Sequence, residues 1–192
     1  MKKLSIIFLY VILIASCGPR DRKVPEEFIL FSLEDPNHQA FIASLARYCG
    51  QAFAGRQVFI AEGRQSWADR SMTMHVSLCE DGHIHIPFHM DEDHSRTWMF
   101  IQENGRLRFR HDHRHPDGTP EDVTLYGGYA DALGTTFTQN FPADEFTCEM
   151  IPTSCNATWT VSISPDMTTF SYQLKNFGEL LFQADFNLAN PL

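Results

Sequence analysis

The chain has 192 residues, of which 43% are hydrophobic, 12% aromatic and 20% charged, with a formal net charge of −9. This length suits one globular domain with a buried core, and the aromatic content excludes a disordered or collagen-like chain. The excess of acid over base excludes nucleic acid as the principal partner, because phosphate contacts need clustered Lys and Arg.

Residues 1–16 begin Met-Lys-Lys, continue as an apolar run from Leu4 to Ile14, and end in Ala15 and Ser16 just before Cys17. A positive start, a short apolar run and small residues describe a secretory signal, and the run is too short to span a bilayer. The tetrad Ile14-Ala15-Ser16-Cys17 resembles the lipobox of bacterial lipoproteins. That resemblance implies that the Cys17 thiol is acylated, that residues 1–16 are removed, and that the membrane is a partner through the lipid. It places the protein in the bacterial cell envelope, and Gly18 where a retention Asp would stand favours the outer membrane, facing the periplasm. Several acyl chains hold firmly, since each buried methylene contributes about 0.8 kcal/mol. Loss of Lys2 and Lys3 takes the formal charge from −9 to −11. Residues 17–27, with Pro19 and Pro25, read as a tether, and residues 28–192 as a single domain.

One helix precedes a run of strands. Asp35-Pro36 supplies an N-cap and a first-turn proline; Phe41, Ile42, Leu45 and Tyr48 form a buried stripe, and Gly50 ends it. The period then switches to two. Met72, Met74, Val76 and Leu78 alternate with polar residues, and Ile84, Ile86, Phe88 and Met90 alternate with His83, His85, Pro87 and His89. Asp81-Gly82 is a tight-turn signal between them, and Asn104-Gly105 joins 98–102 to 106–113 as a hairpin. Further strands are expected over 135–141, 158–163, 168–174 and 179–188. Tyr126-Gly127-Gly128-Tyr129 reads as a flexible aromatic loop or turn, and 116–133 as the one stretch long enough for a crossing. The pattern predicts an all-β, mainly antiparallel fold. It reads as a single closed or nearly closed barrel of about eight to ten strands, lipocalin- or calycin-like, preceded by one α-helix.

If Cys17 carries lipid, four cysteines remain: Cys49, Cys79, Cys148 and Cys155. An even set in an exported chain favours disulfides, and four cysteines allow three connectivities. The sequential one ties the helix end to a strand through Cys49–Cys79 and closes a small loop through Cys148–Cys155. No Cys-x-x-Cys pair supports a redox motif.

Most of the nine histidines fall between His75 and His115, six of them in the runs 83–89 and 111–115. In an extended strand His111, His113 and His115 share a face with Leu107 and Phe109, whereas His83, His85 and His89 oppose Ile84, Ile86 and Phe88. If Leu107 and Phe109 point inward, the first three imidazoles line one mouth of the barrel. One of the two runs must then face outward unless a bulge intervenes. Imidazoles on neighbouring strands suit a divalent metal such as Zn²⁺ or Cu²⁺, or a haem iron, with His89, His111 and His113 as the ligand set. The alternative is a polar, pH-sensitive cluster or ligand lining; a general acid–base role also stays open. The chain has no nucleophile elbow, paired-carboxylate motif or phosphate-binding glycine loop.

The segments Ile84-His85-Ile86-Pro87-Phe88-His89, Ser95-Arg96-Thr97-Trp98, His111 to Gly118 and Tyr126-Gly127-Gly128 together resemble a family of uncharacterised bacterial secreted proteins. Its pattern runs IPFH…SRTW…HDHRHxDG…YGG. Phe141-Pro142-Ala143-Asp144 and the Phe182-to-Phe186 run are similar too, and the resemblance spans roughly 40–190. It implies one domain, suits a Cys49–Cys79 bridge and brings no activity; His83 and His85 depart from its pattern. Three functions follow as expectations. The first is a small-molecule-binding barrel with a mouth lined by His89, Arg96, Trp98, His111, His113, His115 and Tyr126, where Arg96 meets an anionic group and Trp98 stacks. The second is a metal-dependent hydrolase on His89, His111 and His113. The third is a structural or interaction protein of the envelope with a filled barrel.

Overall fold

The computed structural model describes residues 32–192, so the signal, Cys17 and the tether lie outside the described residues. The strands are β1 (Ala52–Ile60), β2 (Met72–His75), β3 (Leu78–Glu80), β4 (His83–Met90), β5 (Asp93–Glu103) and β6 (Arg106–His113). They continue as β7 (Tyr126–Tyr129), β8 (Thr138–Pro142), β9 (Ala157–Ile163), β10 (Thr169–Asn176) and β11 (Glu179–Pro191). Helix α1 (Pro36–Ala46) precedes them, and a short helix α2 (Glu145–Met150) follows β8. The sheet runs β7-β6-β5-β4-β2-β1-β11-β10-β9-β8, with β3 paired to β4 beside this path. Every pairing is antiparallel, and the first and last strands are neighbours through β1 and β11. The result is a nearly closed, up-and-down barrel with ten strands in its wall.

Closure happens between β7 and β8, where Tyr126-Gly127-Gly128-Tyr129 stands as a strand and not as the flexible loop expected from its glycines. Asp144 N–H donates to the Gly127 carbonyl at 3.0 Å, and Asp131 N–H to the Asn140 carbonyl at 3.0 Å. The Thr147 hydroxyl donates to the same Gly127 carbonyl at 2.8 Å and accepts the Gly127 N–H at 2.7 Å. Glycine is required because the backbones meet there: a Cβ on Gly128 would fall inside the Pro142 carbonyl oxygen, and one on Gly127 inside that of Phe109. Of the 116–133 stretch, 116–129 therefore belongs to a long β6–β7 hairpin and 130–133 leads on toward the adjacent β8, so it makes no crossing.

The helix forms as its ends dictate. The Asp35 carboxylate accepts the Asn37 N–H at 2.7 Å, Pro36 opens the first turn, and Phe41, Ile42 and Leu45 are buried. α1 ends at Ala46, before the Tyr48 that the stripe included. It lies across one end of the barrel: His38 bonds the Asp131 carbonyl at 3.2 Å, and the Tyr48 hydroxyl donates to the Met167 carbonyl at 2.6 Å. The disulfide Cys49–Cys79 ties the chain just past α1 to β3, and Cys148–Cys155 joins α2 to the turn after it. By loop-closure entropy the first contributes about 3–4 kcal/mol and the second about 2 kcal/mol.

The barrel filling changes along its axis. Near α1 it is phenylalanine: Phe41 meets Phe100 at 5.9 Å, Phe100 meets Phe109 at 4.8 Å, and Phe109 meets Phe141 at 5.0 Å. Toward the other end Trp98 is sandwiched between Phe88 at 4.5 Å and Tyr172 at 4.6 Å, and the filling becomes tyrosine, tryptophan and histidine. Phe88, Trp98 and Tyr172 are all buried, so this end has an aromatic wall of its own.

Candidate functional site: the aromatic mouth

Strand register builds the mouth in two rungs. Ile86, Trp98, His111 and Tyr126 are cross-strand partners over β4, β5, β6 and β7; one step toward the open end, Phe88, Arg96 and His113 pair in the same way. Both rungs point inward. His111 is buried and His113 partly so, while His115 lies beyond the last residue of β6 and is exposed. Residues that alternate with the rungs face out, and His89, one step past Phe88, is one of them. It pairs with Thr73 and stacks on His94, ring centroids 3.9 Å apart. The mouth thus contains Arg96, Trp98, His111, His113 and Tyr126, but not His89 or His115. Because His89 and the β6 imidazoles occupy opposite faces of one sheet, the expected metal set His89, His111 and His113 is not assembled. Among the described residues no three His, Cys, Asp or Glu side chains come together as a metal-binding group.

Two tyrosine–histidine pairs stand in tandem. His111 Nδ1 lies 3.3 Å from the Tyr126 carbonyl, which only accepts, so this nitrogen carries the proton. Its Nε2, 2.9 Å from the Tyr172 hydroxyl, is then the acceptor, and Tyr172 donates. Complete burial holds His111 neutral, its pKa lowered to about 3. The ring also stacks on Tyr126 at 4.6 Å. Nearer the opening, His113 Nε2 lies 3.0 Å from the Tyr126 hydroxyl, and its Nδ1 faces Glu121 at 3.8 Å. Glu121 is a charge neighbour beyond hydrogen-bond reach, so the direction of the His113–Tyr126 bond follows the imidazole tautomer. Burial lowers the His113 pKa and the Arg96 charge lowers it further, against the pull of Glu121. Burial pushes Tyr126 up to about 12, and burial followed by the neighbouring Tyr126 raises Tyr172 well above its ordinary value.

At neutral pH these rings are uncharged, and Arg96 is the cation of the mouth. Its Nη1 donates to Asp93 Oδ2; the other carboxylate oxygen accepts the Ser95 N–H at 3.0 Å and the Ser95 hydroxyl at 2.7 Å. Burial pushes the Asp93 carboxyl up, but the Ser95 and Arg96 bonds outweigh it and bring it down to about 2.

The rungs enclose a chamber of about 80 Å³, lined by Phe88, Trp98, His111, His113, Tyr126 and Tyr172, and roofed by Trp67, Met90, Arg96 and Phe182. Trp67 sits in a single 3₁₀ turn, edge-on to Phe182 at 5.2 Å. Outside the roof lies a polar basin of about 690 Å³ between the 92–96 turn and the 113–121 loop. Arg96 and His113 belong to the walls of both, and His115 lines the basin alone. A side cleft of about 220 Å³ opens between Trp67, Arg70, Met90, Asp93 and Arg96. The chamber is too small for a drug-sized ligand, whereas the basin falls within the usual range for one.

Another groove, of about 570 Å³, lies at the helix-capped end, where Gly55 packs directly against the buried Phe186 ring. It has neither an imidazole nor an aromatic cluster open to it, so the chemistry concentrates at the mouth.

Sequence reasoning missed Trp67, Asp93, Glu121, Trp159 and Tyr172. Tyr172 was within reach, since it alternates with Phe170 inside an expected strand and so shares its inward face. Trp67 and Glu121 lie outside regular strands and carry no periodic signal. Comparison with known proteins gives no match: no family model fits the chain, and neither a curated protein nor a solved structure aligns with it.

Proposed function

We propose that this protein is a small-molecule binder of the bacterial envelope, held to the membrane through an acylated Cys17, with its ligand at the aromatic mouth. One observation carries the reading: Arg96 and His113 stand in the wall of both an aromatic chamber and a polar basin, so one molecule can meet apolar and charged groups together. The ligand enters at the mouth and does not fill the barrel, whose other half is packed with phenylalanine. His115 belongs to the basin rim, and Trp98 acts as a buried wall and not as an open stacking face. The metal-dependent reading has no assembled ligand set to support it.

The test is a thermal-shift screen of the purified protein against small molecules of graded size and charge. Binders are expected, and Arg96→Gln or His113→Gln removes their shift while leaving the unliganded melting temperature within a few degrees. Binders indifferent to both substitutions would overturn the placement. The filled half of the barrel favours a second reading, an envelope interaction protein; a screen with no binder at all would promote it. The anchor is tested separately, by finding residue 17 as an acylated N-terminus in the mass spectrum of the membrane-extracted protein.

A further inference from the structure

Arg96 is the side chain on which the chamber, the basin and the side cleft converge. It makes one hydrogen bond, from Nη1 to Asp93; among the described residues its other guanidinium N–H groups have no protein acceptor. A guanidinium offers five N–H donors in a planar fork that matches a carboxylate in bidentate fashion, so most of that capacity is unused. Among the described residues the chamber wall carries no carboxylate: apart from Arg96 and two imidazoles it is aromatic, with one methionine. Asp93 stands outside it, on the basin and cleft side, with its side chain 43% exposed against 22% for Arg96.

Asp93 is also built to let go. Its Oδ1 keeps both Ser95 bonds whether or not Oδ2 holds Arg96, so losing the arginine does not leave the carboxylate unsatisfied. The ion pair joins residues three apart at the solvent edge, where such pairs contribute little. We propose, resting on the mouth as the binding site, that the ligand is a small carboxylate that takes the place of Asp93 on Arg96 and directs a short aliphatic end into the chamber. Asp93 is the resident occupant, a carboxylate supplied by the protein itself. The size of the chamber sets the tail: about 80 Å³ accepts a few carbon atoms, whereas an engineered cavity that takes benzene measures about 150 Å³.

The readout is built in. Trp67 and Trp98 line the chamber, and Trp159 lies against His111 at 5.0 Å, so all three tryptophans of the chain report on it. Sodium butyrate, 1-butanol and butylammonium chloride are titrated at constant ionic strength while tryptophan fluorescence is followed. Butyrate is expected to give a saturable change and the other two none. Asp93→Asn keeps acceptors for Ser95 but loses the charge; it should tighten butyrate by up to about five-fold, the equivalent of an exposed ion pair. Arg96→Gln should abolish the change, with circular dichroism and melting temperature confirming that both variants are folded. Saturation by butanol or butylammonium but not by butyrate would overturn the carboxylate and leave the mouth as a binding site. Equal butyrate affinity in wild type and Asp93→Asn would overturn the role of Asp93. No response to any of the three, together with no binder in the wider screen, would overturn both the carboxylate and the mouth.

Discussion

Burial controls the chemistry of the imidazoles, and His111 shows it most clearly. In the unfolded chain it takes up a proton below about 6.5; in the folded protein it does so only near 3. Between those values the unfolded state binds more protons, so stability falls as pH drops below about 6.5 and is fully present above it. One such group contributes a slope of at most about 1.4 kcal/mol per pH unit. His113, shifted in the same direction, steepens the same limb. Replacing His111 with Gln should cost about 2 kcal/mol at pH 7 by disturbing the bonds to Tyr172 and the Tyr126 carbonyl. It should also flatten the acid limb, because Gln does not titrate. Urea denaturation of both proteins from pH 7 to pH 4.5 checks this. Parallel stability curves would mean that His111 is charged in the folded state.

At the scale of elements, the seam between β7 and β8 is where the barrel is most exacting. Gly127 and Gly128 let two backbones approach closely enough for the Asp144 and Thr147 bonds to form. Gly128→Ala places a methyl group against the Pro142 carbonyl and should destabilise the fold by about 3 kcal/mol or more, measured by chemical denaturation. A cost below about 1 kcal/mol would mean that the seam is open in solution. Those glycines also hid β7, since glycine is depleted in strands and reads as a turn. β1 was hidden for a related reason. Register shifts between Phe53 and Gly55 and again between Gln57 and Phe59 break its period of two, and Gly55 faces Phe186 without a side chain. Where alternation is unbroken, as in β4 and β6, the strands were legible and so was the opposition of their histidine runs.

Over the whole molecule, the barrel, the preceding helix and the two disulfides were legible because each leaves a local or countable trace: alternation, a capped stripe, an even set of cysteines. The site was only half legible. Parity within β6 put His111 and His113 on one inward face, yet which residues meet across the mouth depends on register, and register is a property of paired strands. The register joins Phe88, Arg96 and His113 in one rung and turns His89 outward, while Trp67 and Glu121 arrive from segments with no period at all. The long-range electrostatics also belong to this scale. In a chain with a formal charge of −9, Arg96 is, among the described residues, the only guanidinium lining the aromatic chamber, and the binding account rests on it. Chemical-shift mapping of the labelled protein with any compound that raises its melting temperature tests that account most directly. The account predicts shifts clustered on Trp67, Arg96, Trp98, His113 and Tyr126; shifts clustered on the Gly55–Phe186 groove would contradict it.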